Sequence, residues 1–259
     1  MVTGVLPIAL EEATKTIQAF LLTGKEYVCV MTLHGDVDEK VVRSGLEEFV
    51  GEIYQKPPVR AAVKRETRKR RIYAVSDLEV EGRQVLFRVS CQAGTYVRKL
   101  VFDVGEILQV GAHMRELRRV RAGAFTEDSA CTLYDVLRVS QADARDREPL
   151  LRSIVRPMET AFDYVPKIMI RDSAVSAVCH GAELAVPGVV RLSDGIRAGS
   201  SVAVFTLKGE LVTLSKAMMT SQQVLEEEHG IVAKTVRVVM PTDTYPKMWR
   251  RPSEAEVKT

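Results

Sequence analysis

Apolar residues at Leu10, Ala13, Ile17 and Leu21 recur at helical spacing, and Gly24 stands where such a helix would be capped, so the pattern predicts a helix over residues 8–22. From 26 to 33 the texture becomes extended and rich in Val and Tyr, ended by His34-Gly35. Leu46, Phe49, Val50 and Ile53 share one face of a second helix predicted over 39–53, which Pro57-Pro58 stops. Two strand-like runs, 72–80 and 84–91, are joined through Glu81-Gly82 as a hairpin. After a turn at Gly94, Val97, Leu100, Val101, Val104 and Leu108 form the inward face of another helix. The stretch 140–157 is polar and charged, and beyond it short β-type runs dominate: 167–170, 189–192, 202–207, 211–217 and 235–240, with a hairpin turn at Lys208-Gly209. Strands this short and closely spaced predict a small barrel. Helices and strands mix without regular alternation, which makes the class α+β. The expected division is a mixed-sheet domain over residues 1–164, the barrel over 165–240, and an extended, proline-containing tail over 241–259.

A chain of 259 residues with 46% hydrophobic content can bury two modest cores. No run of eighteen apolar residues exists, and the first thirty residues lack a basic start followed by an apolar stretch and a cleavage site, so a cytoplasmic protein with no membrane partner is expected. Cys29, Cys91, Cys131 and Cys179 are scattered singly among apolar neighbours, without a His at ligand spacing, and read as reduced core thiols. His34, His113, His180 and His229 are equally dispersed. With no P-loop, G-x-G-x-x-G, G-x-S-x-G or H-E-x-x-H, neither a metal nor a cofactor is expected.

The net charge of +3 hides an uneven distribution: residues 56–71 carry +7 and residues 111–121 carry +3, so the remaining chain sums to −7. An otherwise acidic chain with two concentrated basic stretches has the electrostatic footprint of phosphate-backbone binding. A solvated charged loop is the plainer reading of the first stretch taken alone.

Five ordered segments, Val2 to Leu10, Lys25 to Tyr27, Gln55 to Lys64, Gly94 to Leu100 and Gly111 to Arg119, carry a resemblance to the TruB/dyskerin family of RNA pseudouridine synthases. Val2 to Leu10 resembles the end of that family's nucleophile motif, G-T-L-D-P-x-[VA]-T-G-V-L; Lys25-Glu26-Tyr27 resembles its K-x-Y; Gln55 to Lys64 resembles Q-x-P-P-x-x-S-A-V-K, with Ala61 at its Ser. Gly94 to Leu100 matches G-T-Y-[IV]-R-x-L, and Gly111 to Arg119 resembles G-A-x-x-x-x-L-R-R. Downstream, His180 to Val189 and Val202 to Met219 are similar to a PUA domain, the small RNA-binding barrel, and Tyr245-Pro246-Lys247-Met248-Trp249 points to the archaeal and eukaryotic dyskerin branch.

The resemblance implies that uridine is isomerised to pseudouridine in tRNA, at the T-loop, and in rRNA under a box H/ACA guide RNA. It implies a flipped nucleotide attacked by an Asp carboxylate. That Asp would stand ahead of Met1, so the catalytic domain is expected to be N-terminally incomplete and inactive as written. Tyr27 would stack on the flipped base, although its spacing alone favours a strand tyrosine half in the core. Arg98 would pair with the nucleophile. Tyr96 would be the second active-site tyrosine, and Leu117 would line the base pocket or simply the core. The basic stretch would form a thumb loop over RNA, through Lys56, Arg60, Lys64, Arg65, Arg68, Lys69 and Arg70, with Arg118 and Arg119 on the second basic stretch. Gly181, Ala182 and Gly188 would admit RNA backbone to the barrel, where a Gly/Pro-rich turn is the plainer reading. The implied partners are the guide RNA and Nop-type, Gar-type and kink-turn-binding accessory proteins. Two other readings stay open: an inactive RNA-binding protein, and a bacterial-type enzyme acting on tRNA without a guide.

Overall fold

The computed structural model describes residues 2–58 and 63–248, with Val2 as backbone only, and groups them in two compact units, one drawn from residues up to 8 and 21–154, the other from 9–20 and 155 onward. Among the described residues the first unit carries a seven-stranded mixed sheet. Its strands are β1 (Val2–Gly4), β2 (Lys25–Leu33), β3 (Gly51–Gln55), β4 (Arg68–Glu81), β5 (Gln84–Cys91), β6 (Ala112–Ala122) and β7 (Phe125–Thr126). They lie in the order β1-β6-β2-β5-β4-β3, with β7 paired to β6. Only β1 pairs in parallel; the remaining ladders of this sheet are antiparallel.

Period-two alternation puts one face of the sheet in the core. Cys29, Met31 and Leu33 of β2 and Val85, Phe87, Val89 and Cys91 of β5 are buried. Two helices cover that face: α2 (Glu39–Glu47) with Val42 and Leu46, and α3 (Val97–Ile107) with Val97, Leu100, Val101 and Val104. Burying a side chain the size of Phe87 contributes about 2–3 kcal/mol, so this shared layer holds the unit together. Cys29 and Cys91 sit inside it, and burial pushes their thiols up to about 12 and about 11. Cys179 is buried as well, but Cys131 is exposed and is no core thiol.

Several expected elements change. The helix expected over 8–22 is a 3-10 turn, Glu11–Thr16, followed by the short α1 (Ile17–Leu21); Glu11 takes a positive φ of 46°, and Leu10, Ile17 and Leu21 remain exposed. The second helix ends at Glu47, because Gly51 at φ 117° turns the chain into β3, and Ile53 is a strand residue. The polar, charged stretch is largely helical: α4 (Leu133–Gln141), closed at its start by a Thr132–Asp135 capping box, runs into it and α5 (Ala144–Ile154) lies within it. β6, whose charged sequence predicts no element, is an inner strand between β1 and β2. A register shift between Glu26 and Tyr27 leaves Val120 without a Cα partner on β2. The histidines are not all dispersed: His34 Nε2 and His113 Nδ1 meet at 2.9 Å.

The outer face of this sheet carries a ladder of charges. Arg88 donates to Glu26 at 2.9 Å and to Asp77 at 2.6 Å, and Arg121 donates to Glu26 at 3.0 Å. Burial by itself would raise the Glu26 carboxyl, but the hydrogen bonds from Arg88 and Arg121 outweigh it and hold the group below the usual carboxylate range. A depressed folded-state pKa contributes stability that is present above the unfolded value, about 4.3, and is lost as pH falls through the folded value. Glu26→Gln is therefore expected to cost about 2 kcal/mol at neutral pH and to flatten the loss of stability below about pH 4, as read by urea melts across pH.

In the second unit a six-stranded sheet among the described residues runs β10-β8-β11-β12-β13-β9. Its strands are β8 (Lys167–Ile170), β9 (Leu184–Ala185), β10 (Val189–Leu192), β11 (Ser201–Thr206), β12 (Leu211–Ala217) and β13 (Ile231–Val238). The two end strands of this path, β9 and β10, are joined by the three-residue turn Val186–Gly188, so the sheet curls into a nearly closed barrel. Helices α6 (Asp172–Cys179) and α7 (Ser221–Glu226) accompany it. The tail is not wholly extended: Tyr245 packs into this core and donates to Glu210 at 2.6 Å.

Candidate functional site

Strand register gathers the chemistry of the first unit at one end of its sheet. Lys25 pairs with Cys91 across β2 and β5, so Tyr27 lies two residues from the point where β5 gives way to the Gly94 turn. On the other side Tyr27 faces Arg119, and Cys29 faces Leu117. Leu117 also pairs with Val2, and Gly4 with Arg119. At the same end β3 finishes at Gln55, opposite Arg68, the first residue of β4.

Tyr27 is half-buried against the core. Burial, then the Cys91 thiol, raise its phenol, while the Arg119 guanidinium opposes both. Arg119 donates from Nε to the Val5 carbonyl at 2.7 Å, and its own carbonyl accepts the Val5 N–H at 2.7 Å. Gly4 is required there: its φ is 95°, and a Cβ would lie 2.1 Å from the Arg119 carbonyl oxygen. Lys25 donates to the carbonyls of Leu21 and Thr23 at 2.7 and 2.8 Å, and burial, then Arg119, lower its pKa.

Tyr96 precedes α3 as its N-cap, but its side chain makes no cap bond, which leaves the phenol for other work. Arg98 sits in the first turn of α3, exposed and without an ion pair among the described residues. A cation at the positive end of a helix is electrostatically misplaced unless an anion comes to it. Leu117 is 8% exposed and belongs to the core, so its packing role is the one the geometry displays.

The basic stretch is only partly a loop. Lys56, Lys64 and Arg65 are exposed between β3 and β4, and Arg60 lies outside the described residues. Arg68, Lys69 and Arg70 belong to β4, where Lys69 pairs with Glu52 at 3.1 Å and Arg68 donates to the Lys64 carbonyl. Arg118 is paired with Glu127. In the barrel Gly181 takes φ 89° just past α6, its N–H bonded to the Val178 carbonyl, which is a helix stop. Ala182 is exposed, and its N–H bonds the Ala177 carbonyl in the same stop. A Cβ on Gly188 would meet Leu184 at 3.1 Å and Ala174 at 3.2 Å, so close packing accounts for that glycine. Among the described residues no group of three or more His, Cys, Asp or Glu could hold a metal, and no helix is long and apolar enough to cross a membrane.

Gln55 is the residue that sequence reasoning passed over. It is 2% exposed, its Oε1 accepts the Tyr96 N–H at 3.0 Å and its Nε2 donates to the Tyr96 carbonyl at 3.2 Å. Its signal in the sequence is that it opens the segment resembling Q-x-P-P-x-x-S-A-V-K, a resemblance that assigns it no role.

A half-buried tyrosine, an arginine without an ion pair among the described residues at a helix start, and a basic hairpin lie at one sheet end, in a chain that also carries a small barrel. Residues 1–97 match the TruB family pseudouridylate synthase N-terminal domain, residues 98–163 the tRNA pseudouridylate synthase B C-terminal domain, and residues 166–239 the PUA domain. The chain is 55% identical to the probable tRNA pseudouridine synthase B of Methanopyrus kandleri over 250 residues, covering 96% of this chain and 74% of that one. It is 52% identical to the Pyrococcus furiosus protein of the same description, again over 96% and 74%. Among solved structures, a Cbf5-Nop10-Gar1 complex matches with TM-score 0.89 and 52% identity, over 95% of this chain and 75% of that one. An H/ACA RNP bound to a substrate RNA containing 2'-deoxyuridine matches with TM-score 0.87 and 50% identity, over 96% and 76%. The chain belongs to the TruB family of pseudouridine synthases.

Proposed function

We propose that this protein isomerises uridine to pseudouridine in tRNA and, directed by an H/ACA guide RNA, in rRNA, within the cytoplasm and without metal or cofactor. The observation that carries this reading is the gathering of Tyr27, Tyr96 and Arg98 at one sheet end beside the basic hairpin, in a chain with close relatives described as pseudouridine synthases. Tyr27 stacks under the flipped base, an interaction of about 1–3 kcal/mol. Tyr96 closes the other side, and Leu117 supports the pocket from the core. Arg98 takes the nucleophilic carboxylate as its missing counter-ion, keeping it ionised and oriented. That carboxylate is the Asp of the family motif G-T-L-D-P-x-[VA]-T-G-V-L, whose closing residues match Val2 to Leu6, and β1, which holds the first of them, pairs beside Leu117. Residues 1–259 alone then bind RNA without isomerising it. Lys56, Arg60, Lys64, Arg65, Arg68, Lys69 and Arg70 hold the substrate backbone, with Arg118 beside them, and Gly181, Ala182 and Gly188 border the barrel's RNA face. The Cbf5-Nop10-Gar1 and H/ACA RNP structures support a guide-RNA particle with partners of the Nop10 and Gar1 kind; a kink-turn binder reached through RNA completes the proposed set.

Tritium release from uridine labelled at C5 in an unmodified tRNA transcript, and in a guide–target RNA pair, tests the proposal. Release is expected from the protein carrying G-T-L-D-P ahead of its first residues, and tight binding without release from residues 1–259. Binding without release in both would leave an RNA-binding protein and overturn the enzyme reading. In the same assay Lys64→Gln and Arg65→Gln are each expected to lower the slope of log affinity against log salt by about 0.7–0.9 per lost phosphate contact.

A further inference from the structure

We infer that Gln55 is a positioning residue that couples the basic hairpin to the segment carrying Tyr96 and Arg98. The inference rests on the function proposed above.

Gln55 is the last residue of β3, and the hairpin begins at the next position. Its two bonds to Tyr96 reproduce what a neighbouring strand would supply, one acceptor and one donor, but from a side chain. The Tyr96 carbonyl it binds also accepts the N–H groups of Lys99 and Leu100 at 3.0 Å each, so it is the carbonyl on which the first turn of α3 is wound. Arg98 lies in that turn.

The returning strand of the hairpin is fastened to the same segment from its other side. The Arg71 carbonyl accepts the Gln92 N–H at 2.8 Å. The Arg70 guanidinium lies over Gly94, where a Cβ would be 3.1 Å from Nη2 and 3.2 Å from Nε. Gly94 takes φ 76° there, the left-handed region that favours glycine. Arg70 Nε is itself buried and makes no hydrogen bond among the described residues. A displacement of the hairpin base therefore reaches the backbone of Tyr96 directly, through an uncharged amide too buried to touch a phosphate.

The test uses the protein with G-T-L-D-P ahead of its first residues, and unmodified tRNA transcript as the probe. Gln55→Leu is expected to slow single-turnover tritium release from saturating, bound RNA by about 10- to 100-fold, with RNA affinity and its salt dependence unchanged. Gln55→Glu separates coupling from bulk packing. An ionised Glu at this position accepts from Tyr96 but cannot donate; the protonated acid does both, so its rate relative to the parent recovers as pH falls from about 8 to about 5.5. The charged and titratable groups around that site are Arg68 across the strand pair, Lys56, Arg70 and the Tyr96 phenol. A parental rate in Gln55→Leu overturns the inference, as does a lost affinity that accounts for the whole defect or a Gln55→Glu rate that ignores pH. Should Gln55→Leu fail to fold, the Gln55→Glu pH series decides. Amide hydrogen exchange at Tyr96 needs no catalysis: RNA is expected to slow it in the parent and not in Gln55→Leu. Equal slowing in both overturns the coupling. An inactive parent overturns the proposed function and leaves the exchange experiment to rule on Gln55.

Discussion

Gly105→Ala is expected to destabilise the first unit by about 3 kcal/mol and to lower its melting transition by about 10 °C. Helix propensity by itself argues the other way, since alanine inside a helix is favoured over glycine by about 1 kcal/mol. Contact decides the sign. A Cβ at Gly105 would stand 2.2 Å from the Ala112 nitrogen, 2.6 Å from the Gly111 carbonyl carbon and 2.8 Å from the Ala112 Cβ. Two of these are backbone atoms at the start of β6, and the Gly105 carbonyl accepts the Gly111 N–H at 2.9 Å. Nothing flexible can give way, so α3 and β6 must separate. Because α3 carries Arg98 and β6 carries Leu117 and Arg119, isomerisation should fall with stability. Circular dichroism melts of Gly105→Ala check this, and a melting temperature equal to the parent's would refute the packing argument.

Arg98→Ala has the opposite signature. Removing a cation from the first turn of a helix is worth about 0.5 kcal/mol of added stability, so the variant should melt no lower than the parent. Its single-turnover rate should nevertheless drop about 100- to 1,000-fold, the scale set by losing one preorganised electrostatic contact at a reacting group. Arg98→Lys should recover only part of this, because an ammonium cannot make the two parallel hydrogen bonds of a guanidinium. A slow, stable Arg98→Ala together with a partly rescued Arg98→Lys identifies the residue as catalytic. An unstable variant with a proportionate rate loss identifies it as structural.

The legibility of the sequence followed physical rules. β2, β5 and α3 were readable because each buries one face, and burial imposes a period of two or 3.6 on the residues that line it. β6 was not readable, since its neighbours lie on both sides and its charged side chains find partners: Arg118 with Glu127, Arg121 with Glu26, Arg119 with the Val5 carbonyl. The α2–β3 boundary hung on the backbone of Gly51, a single residue inside an apolar pattern that continued to Ile53. At the site, Tyr27, Tyr96 and Arg98 came from motif resemblance, and the fold placed them at one end of the sheet. Gln55 stayed invisible because its role depends on a partner forty-one positions away that no local spacing reveals. Arg118 and Arg119 stood together in sequence as two phosphate contacts, yet Arg119 is committed to Val5 and Tyr27.

The unpaired Val120 has a consequence for the parity of β6. In a regular strand Arg119 and Arg121, two apart, would point to the same side. The extra residue at Val120 breaks that rule, so Arg119 stands opposite Tyr27, on the face that carries Cys29 and Leu117, while Arg121 stands opposite Glu26 among the outer charges. Two arginines of one strand thus point to opposite faces of the sheet, and a single-residue insertion, not the identity of either arginine, decides which faces where.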